Sequence, residues 1–152
     1  MRIEEPLLSR LSSLRFKRTL DVGCGYGRVT SYLKIIWPGA EVIGSTVANW
    51  AEKIVKDKLV RLKVEADTLD NIVLSKIPSL DHVKLLKVDV EGAEVEVLKG
   101  ATKILKLTDY IVFEASKQTI EGCLGILSGF NVKFIEESGP TFNFIATRRG
   151  QH

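Results

Sequence analysis

Apolar positions along the chain switch repeatedly between a helical and an extended period. Leu7, Leu11 and Leu14 follow Pro6 at spacings of four and three, which predicts an amphipathic helix before the first strand. A strand is expected at 18–22, then a helix from about 27 to 36 closed by Trp37-Pro38-Gly39, a strand at 41–44 and a second helix at about 48–58. Residues 59–64 read as a third strand, 68–76 as a short helix stopped by Pro78, and 83–90 as a fourth strand buried on both faces. A helix at 92–105, a fifth strand at 110–115 and a helix at 117–127 loosened by Gly122 and Gly125 follow. Two strand-like runs, 131–136 and 141–147, meet across Ser138-Gly139-Pro140 as a hairpin. Repeated βα units demand parallel strands with right-handed crossovers, and the closing hairpin adds an antiparallel strand at the edge.

Composition narrows this α/β reading without redirecting it. The 152 residues are 45% hydrophobic, enough for one core between two helix layers and too few for a second independent domain. Lys and Arg exceed Asp and Glu by 22 − 19 = +3, and no basic tract is interleaved with aromatics, so nucleic acid is an unlikely partner. The five basic residues Arg2, Arg10, Arg15, Lys17 and Arg18 stand against Glu4 and Glu5, placing any basic patch on the leading segment. Cys24 and Cys123 lie far apart with no CxxC and no histidine at metal spacing, which suggests neither zinc nor a disulfide framework and makes a reducing, cytoplasmic setting the default. No signal-peptide pattern and no membrane-spanning run are expected.

The chemistry concentrates in two segments. Asp21-Val22-Gly23-Cys24-Gly25-Tyr26-Gly27 sets alternate glycines where the first strand must stop, let a ligand approach its backbone and open a helix with its amides facing that ligand. A dinucleotide fingerprint would need glycine at position 28, which is Arg28. The spacing resembles instead the first motif of class I S-adenosylmethionine-dependent methyltransferases. In the second segment, Leu85 to Val88 lead into Asp89-Val90-Glu91-Gly92-Ala93-Glu94, so a strand ends in carboxylates at the edge where open α/β sheets hold ligands.

DVEGAE followed by Val95-Glu96-Val97-Leu98-Lys99-Gly100-Ala101 resembles the FkbM-type methyltransferases; Thr68-Leu69-Asp70 and Tyr110 to Glu114 are similar to further elements of that family. The likeness runs from about Leu20 to Ala115. It implies a Rossmann-like class I methyltransferase fold, a mostly parallel seven-stranded sheet with helices on both faces and a C-terminal antiparallel hairpin. Residues 1–152 would form one methyltransferase-like domain, with an N-terminal helix at 1–17, a cofactor-binding core at 18–115 and the last helix and hairpin at 116–152. S-adenosylmethionine is the implied cofactor, with Asp21, Gly23, Cys24, Gly25 and Gly27 under its methionine part and Asp67 against its adenine. The acid that usually holds the ribose is missing after the second strand, which ends Val42-Ile43-Gly44-Ser45-Thr46, so Thr46 or Ser45 would supply neutral hydrogen bonds.

Asp89 and Glu91 are the candidate catalytic carboxylates, because methyl transfer from a sulfonium needs the acceptor oxygen held in line and a hydroxyl acceptor benefits from a base. Two acids at i and i+2 on an extended segment would share a side; no metal is assigned to them. Asp67 could equally cap the helix at Thr68. Glu114 is a secondary candidate at the same edge, whereas His82 falls at the opposite end and Trp37 and Trp50 pack on the sheet. The resemblance implies O-methylation of a sugar or other small-molecule hydroxyl. A non-catalytic methyltransferase-like module is the alternative, and a nucleic-acid methyltransferase ranks below both, since an NPPY-like signature is absent. With little material to cover an acceptor, either the acceptor is large or a second subunit, as in a homo-oligomer, closes the site.

Overall fold

The computed structural model describes residues 11, 13, 16–23, 28–45, 51–55, 58–62 and 67–150. Its strands are β1 (Arg18–Val22), β2 (Glu41–Ser45), β3 (Ala51–Val55), β4 (Lys58–Leu62), β5 (Val83–Val88), β6 (Thr108–Ser116), β7 (Phe130–Ser138) and β8 (Thr141–Arg148). The helices are α1 (Arg28–Ile36), α2 (Leu69–Lys76), α3 (Glu94–Lys99), α4 (Thr102–Leu107) and α5 (Ile120–Ile126). Six strands form one sheet in the order β2-β1-β5-β6-β8-β7, the first four parallel and the last two joined antiparallel as the expected hairpin.

Among the described residues the sheet therefore has six strands, not seven. Residues 51–55, expected inside a helix at 48–58, are strand β3 and pair antiparallel with β4 from Ala51↔Leu62 to Val55↔Lys58, as a separate two-stranded sheet. Ile54, Val55, Leu59 and Val60 favour extended backbone, and two such runs two residues apart pair locally more readily than one of them coils. The third strand of the sequence reading is thus present but does not join the main sheet. The predicted helix through Leu7 and Leu14 lies outside the described residues, as does Trp50; Leu11 is described and buried.

Alternation along the strands sends side chains into two cores. Leu85 and Val112 face α1, meeting Leu33, Trp37, Ala40, Leu11 and Phe16, with the Phe16 and Trp37 ring centroids 3.9 Å apart. Leu86, Val88, Ile111 and Phe113 face the other way, onto Val73, Leu98, Ile104 and Cys123 from α2 to α5. Helices cover both faces, as the fold resemblance implied.

The single helix expected at 92–105 is broken into α3 and α4 at Gly100-Ala101. Asp70 explains the break. Its carboxylate is buried and accepts hydrogen bonds from the Thr102 hydroxyl (3.0 Å) and the Lys103 and Ile104 amides (2.8 and 2.9 Å), so α2 caps the N-terminus of α4, whose own Ala101 offers no side chain for the purpose. The Asp70 amide in turn donates to the Gly100 carbonyl (2.9 Å), and a Cβ on Gly100 would lie 3.3 Å from Thr68 Cβ. The Thr68-Leu69-Asp70 element is a fastening for the segment that follows Lys99.

The end of the sheet where the parallel strands start is held by ion pairs of Arg18 with Glu41 (3.0 Å) and Asp81 (2.8 Å) and of buried Asp109 with Lys84 (2.6 Å), and His82 Nε2 lies 3.0 Å from Asp109 Oδ2. His82 accordingly belongs to this structural end. Replacing Asp70 by Ala should cost about 2–4 kcal/mol in urea denaturation, since it strips a buried, charged cap of three donors. Asp67→Ala, at an exposed site beside the same helix, should leave the urea midpoint nearly unchanged.

Candidate functional site

At the opposite end of the sheet the two sequence motifs meet backbone to backbone. Gly23 leaves β1 with φ +86°, and a Cβ there would fall 1.6 Å from the Asp89 carbonyl oxygen and 2.6 Å from its carbon. The Asp89 amide donates to the Val22 carbonyl at 3.0 Å. Only glycine fits between these groups, so the glycine turn and the DVEG segment are fixed against one another.

Strand register carries side chains to the same place. Asp21 stands directly opposite Lys87 across the β1/β5 pairing, and Asp89 follows Lys87 by two residues. Lys87, only 2% exposed, places its Nζ 3.4 Å from Asp21 Oδ1 and 3.2 Å from Asp89 Oδ2. Asp21 is fully buried. An ammonium taken this far out of water is tolerable only because carboxylates flank it.

The row continues on β6. Val88 pairs with Phe113, so the residue after each, Asp89 and Glu114, sit level, and Glu114 pairs with Asn143 of β8. Burial pushes the Glu114 carboxyl above its ordinary value, Asp89 and Glu94 push it further, and a hydrogen bond with Thr141 and the charge of Lys87 pull the other way. Glu94 is 2% exposed; its Oε1 accepts from the Gly92 amide at 2.7 Å, while its Oε2 is buried with no hydrogen-bond partner.

Glu91 is placed differently from the sequence expectation. The strand ends at Val88, and Glu91 and Gly92 take φ of +50° and +108°, a turn that puts Glu91 in solvent. The alternation that would have set Glu91 beside Asp89 stops before reaching it. Asp67 is also exposed: its Oδ1 accepts from the Thr68 amide (2.7 Å) and from Asn71 Nδ2 (2.8 Å), which lowers its pKa, Asn71 contributing most. The N-cap itself is Thr68, whose side chain accepts from the Asn71 amide. Of the expected cofactor residues the structure brings Asp21 and Gly23 together with catalytic candidate Asp89, while Cys24, Gly25, Gly27 and Thr46 lie outside the described residues.

Lys87 and Glu94 went unread in the sequence. Lys87 carried a signal: a lysine inside a strand expected to be buried on both faces requires a carboxylate partner. Glu94 carried none, because an acid in the first turn of a helix is ordinary.

The family model described as the methyltransferase FkbM domain matches residues 5–146. Solved structures of similar fold include a precorrin-6y C5,15-methyltransferase from Geobacter metallireducens, 14% identical with a TM-score of 0.63 over 95% of this chain and 88% of that one. A release-factor-specific protein-(glutamine-N5) methyltransferase from Alicyclobacillus acidocaldarius is 13% identical, with a TM-score of 0.57 over 95% and 88%. An O-methyltransferase family protein from Burkholderia thailandensis is 10% identical, with a TM-score of 0.53 over 97% and 56%. No curated protein sequence matches the chain. Among the described residues no helix is long and apolar enough to cross a membrane.

Two substitutions test the charge row by chemical denaturation. Lys87→Met should destabilise the fold by about 3–5 kcal/mol, the scale for breaking a buried ion pair by removing one partner. Glu114→Gln should stabilise it at neutral pH, because an acid whose folded pKa is raised opposes folding once ionised. That gain should vanish as pH falls below the unfolded glutamate value of about 4.3, where both side chains are neutral.

Proposed function

Because the chain belongs to the FkbM methyltransferase family, we propose that it transfers the methyl group of S-adenosylmethionine to a hydroxyl oxygen of a sugar or another small molecule. The observation that carries this reading is the clasp between Gly23 and Asp89, which sets the cofactor-type glycine turn and the acid-bearing strand exit at one edge. Ligands of open α/β sheets bind at that edge.

The residues present fit such a donor, whose ammonium and sulfonium are both cationic: Asp21, Asp89 and Glu114 stand at the strand exits, and Glu94 Oε2 is buried without a hydrogen-bond partner. When bound, S-adenosylmethionine supplies an electrophilic methyl group. Asp21 would receive the ammonium or brace the loop amides, and Gly23, Cys24, Gly25 and Gly27 would admit the methionine part close to the backbone. Thr46 would bond to the ribose. Asp67, with Oδ1 engaged, would offer Oδ2 to the adenine amino group.

Asp89, held by Lys87, is the carboxylate placed to orient an acceptor hydroxyl and to take up its proton. Glu91, exposed on the neighbouring turn, would contact the acceptor from the rim. The small-molecule or glycan acceptor and a cytoplasmic site of action belong to the same proposal, as does a second copy of the chain closing over the edge.

Isothermal titration with S-adenosylmethionine and S-adenosylhomocysteine tests it. The wild type should bind both, and Asp21→Asn should weaken binding by about ten- to hundredfold, the worth of one charge-assisted hydrogen bond. Absence of binding at millimolar ligand would remove the proposal, and unchanged affinity in Asp21→Asn would remove Asp21 from the site.

A further inference from the structure

The segment between β5 and α3 holds a backbone shape that its own residues disfavour. Glu91 and Gly92 have φ of +50° and +108°, and Glu91 carries a side chain, which makes that region unfavourable for it. Packing does not impose the shape on Gly92: the residue is exposed, and a Cβ added to it would meet no atom within 4 Å among the described residues. Hydrogen bonds hold the turn at both ends. At its start the Asp89 amide donates to the Val22 carbonyl at 3.0 Å, and at its end the Gly92 amide donates to Glu94 Oε1 at 2.7 Å. Glu94 itself gains little. It is 2% exposed and its Oε2 is buried without a hydrogen-bond partner, whereas an acid in the first turn of a helix ordinarily reaches solvent. A carboxylate placed for stability alone would be exposed or bonded at both oxygens.

We infer that Glu94 is a positioning residue: through the Gly92 amide it holds the DVEG turn in its positive-φ shape and so keeps Glu91 at the rim, where the acceptor arrives. The inference rests on the reading of Asp89 and Glu91 as the acceptor side of the site, and adds the residue that fixes that side. Glu94 touches neither donor nor acceptor. The two fastenings of the turn have separate effects, because the Asp89–Val22 bond and the Gly23 contact do not involve Glu94. Loosening the Glu94 bond therefore frees Glu91 and Gly92 and leaves the donor side in place. Glu94→Gln keeps an oxygen for the Gly92 amide and Glu94→Ala does not, so the pair of variants separates the bond from the charge.

Amide NMR of the full chain, alone and with S-adenosylhomocysteine, tests this. In the wild type the Gly92 amide, although its residue is exposed, should exchange with solvent at least about tenfold more slowly than an unprotected glycine amide, the scale of one charge-assisted hydrogen bond. Glu91 and Gly92 should show backbone order parameters of about 0.85. In Glu94→Ala the protection should vanish and those order parameters should fall to about 0.6 or below while Val83 to Val88 stay unchanged, and Glu94→Gln should restore both. S-adenosylhomocysteine affinity in Glu94→Ala should remain within about threefold of wild type. Should Glu94→Ala fold poorly, the other two proteins decide: a Gly92 amide unprotected in the wild type, or protected there and bare in Glu94→Gln, overturns the inference. Equal order at Glu91 and Gly92 in Glu94→Ala and wild type, a Glu94→Gln variant no better than Glu94→Ala, or a larger loss of S-adenosylhomocysteine affinity also overturns it, and each leaves the donor reading standing. Failure of the wild type to bind S-adenosylhomocysteine removes the donor reading and the positioning role with it, whatever the Gly92 amide shows.

Discussion

Everything at the candidate site depends on one close approach, Gly23 against the Asp89 carbonyl. The neighbouring parallel strands β1 and β5 end at the same height, with the Gly23 backbone against that of Asp89. A side chain at position 23 would occupy the space of the Asp89 carbonyl. With glycine there, the Asp89 amide reaches Val22 and the pairing of β1 with β5 continues one residue beyond its last registered pair. The carboxylates of Asp21 and Asp89 are then separated by little more than the ammonium of Lys87.

Both ends of the sheet carry charged side chains in contact. Where the parallel strands start, Arg18, Lys84 and His82 lie beside Glu41, Asp81 and Asp109 in direct pairs. At their exits Lys87 lies between Asp21 and Asp89, burial and neighbouring acids raise the Glu114 carboxyl, and one Glu94 oxygen is buried without a hydrogen-bond partner. Buried acids with shifted pKa values are common at binding sites.

Much of this could be read from the residues in order. The core strands, the closing hairpin and the meeting of Asp21, Gly23 and Asp89 follow from apolar runs that stop at glycine and acid, a local pattern. The helix expected at 48–58 failed because its residues pair with the strand after them, and that choice depends on a partner rather than on periodicity. The break at Gly100-Ala101 was hidden for a related reason: Asp70, thirty-two residues before Thr102, supplies the cap. Glu91 was misplaced because a period of two was extended past Val88, where a turn with positive φ interrupts it. Lys87 was legible in principle, since nothing else explains a lysine in that strand.

The central claim is that the methyl donor lies at the edge built by the Gly23–Asp89 clasp. Amide chemical-shift mapping during titration with S-adenosylhomocysteine tests it most directly. The largest shifts should fall at Asp21 to Gly23 and Asp89 to Gly92, with Arg18, Lys84 and Asp109 at the far end unmoved. Shifts concentrated at that far end, or on the outer surface of α1, would contradict it.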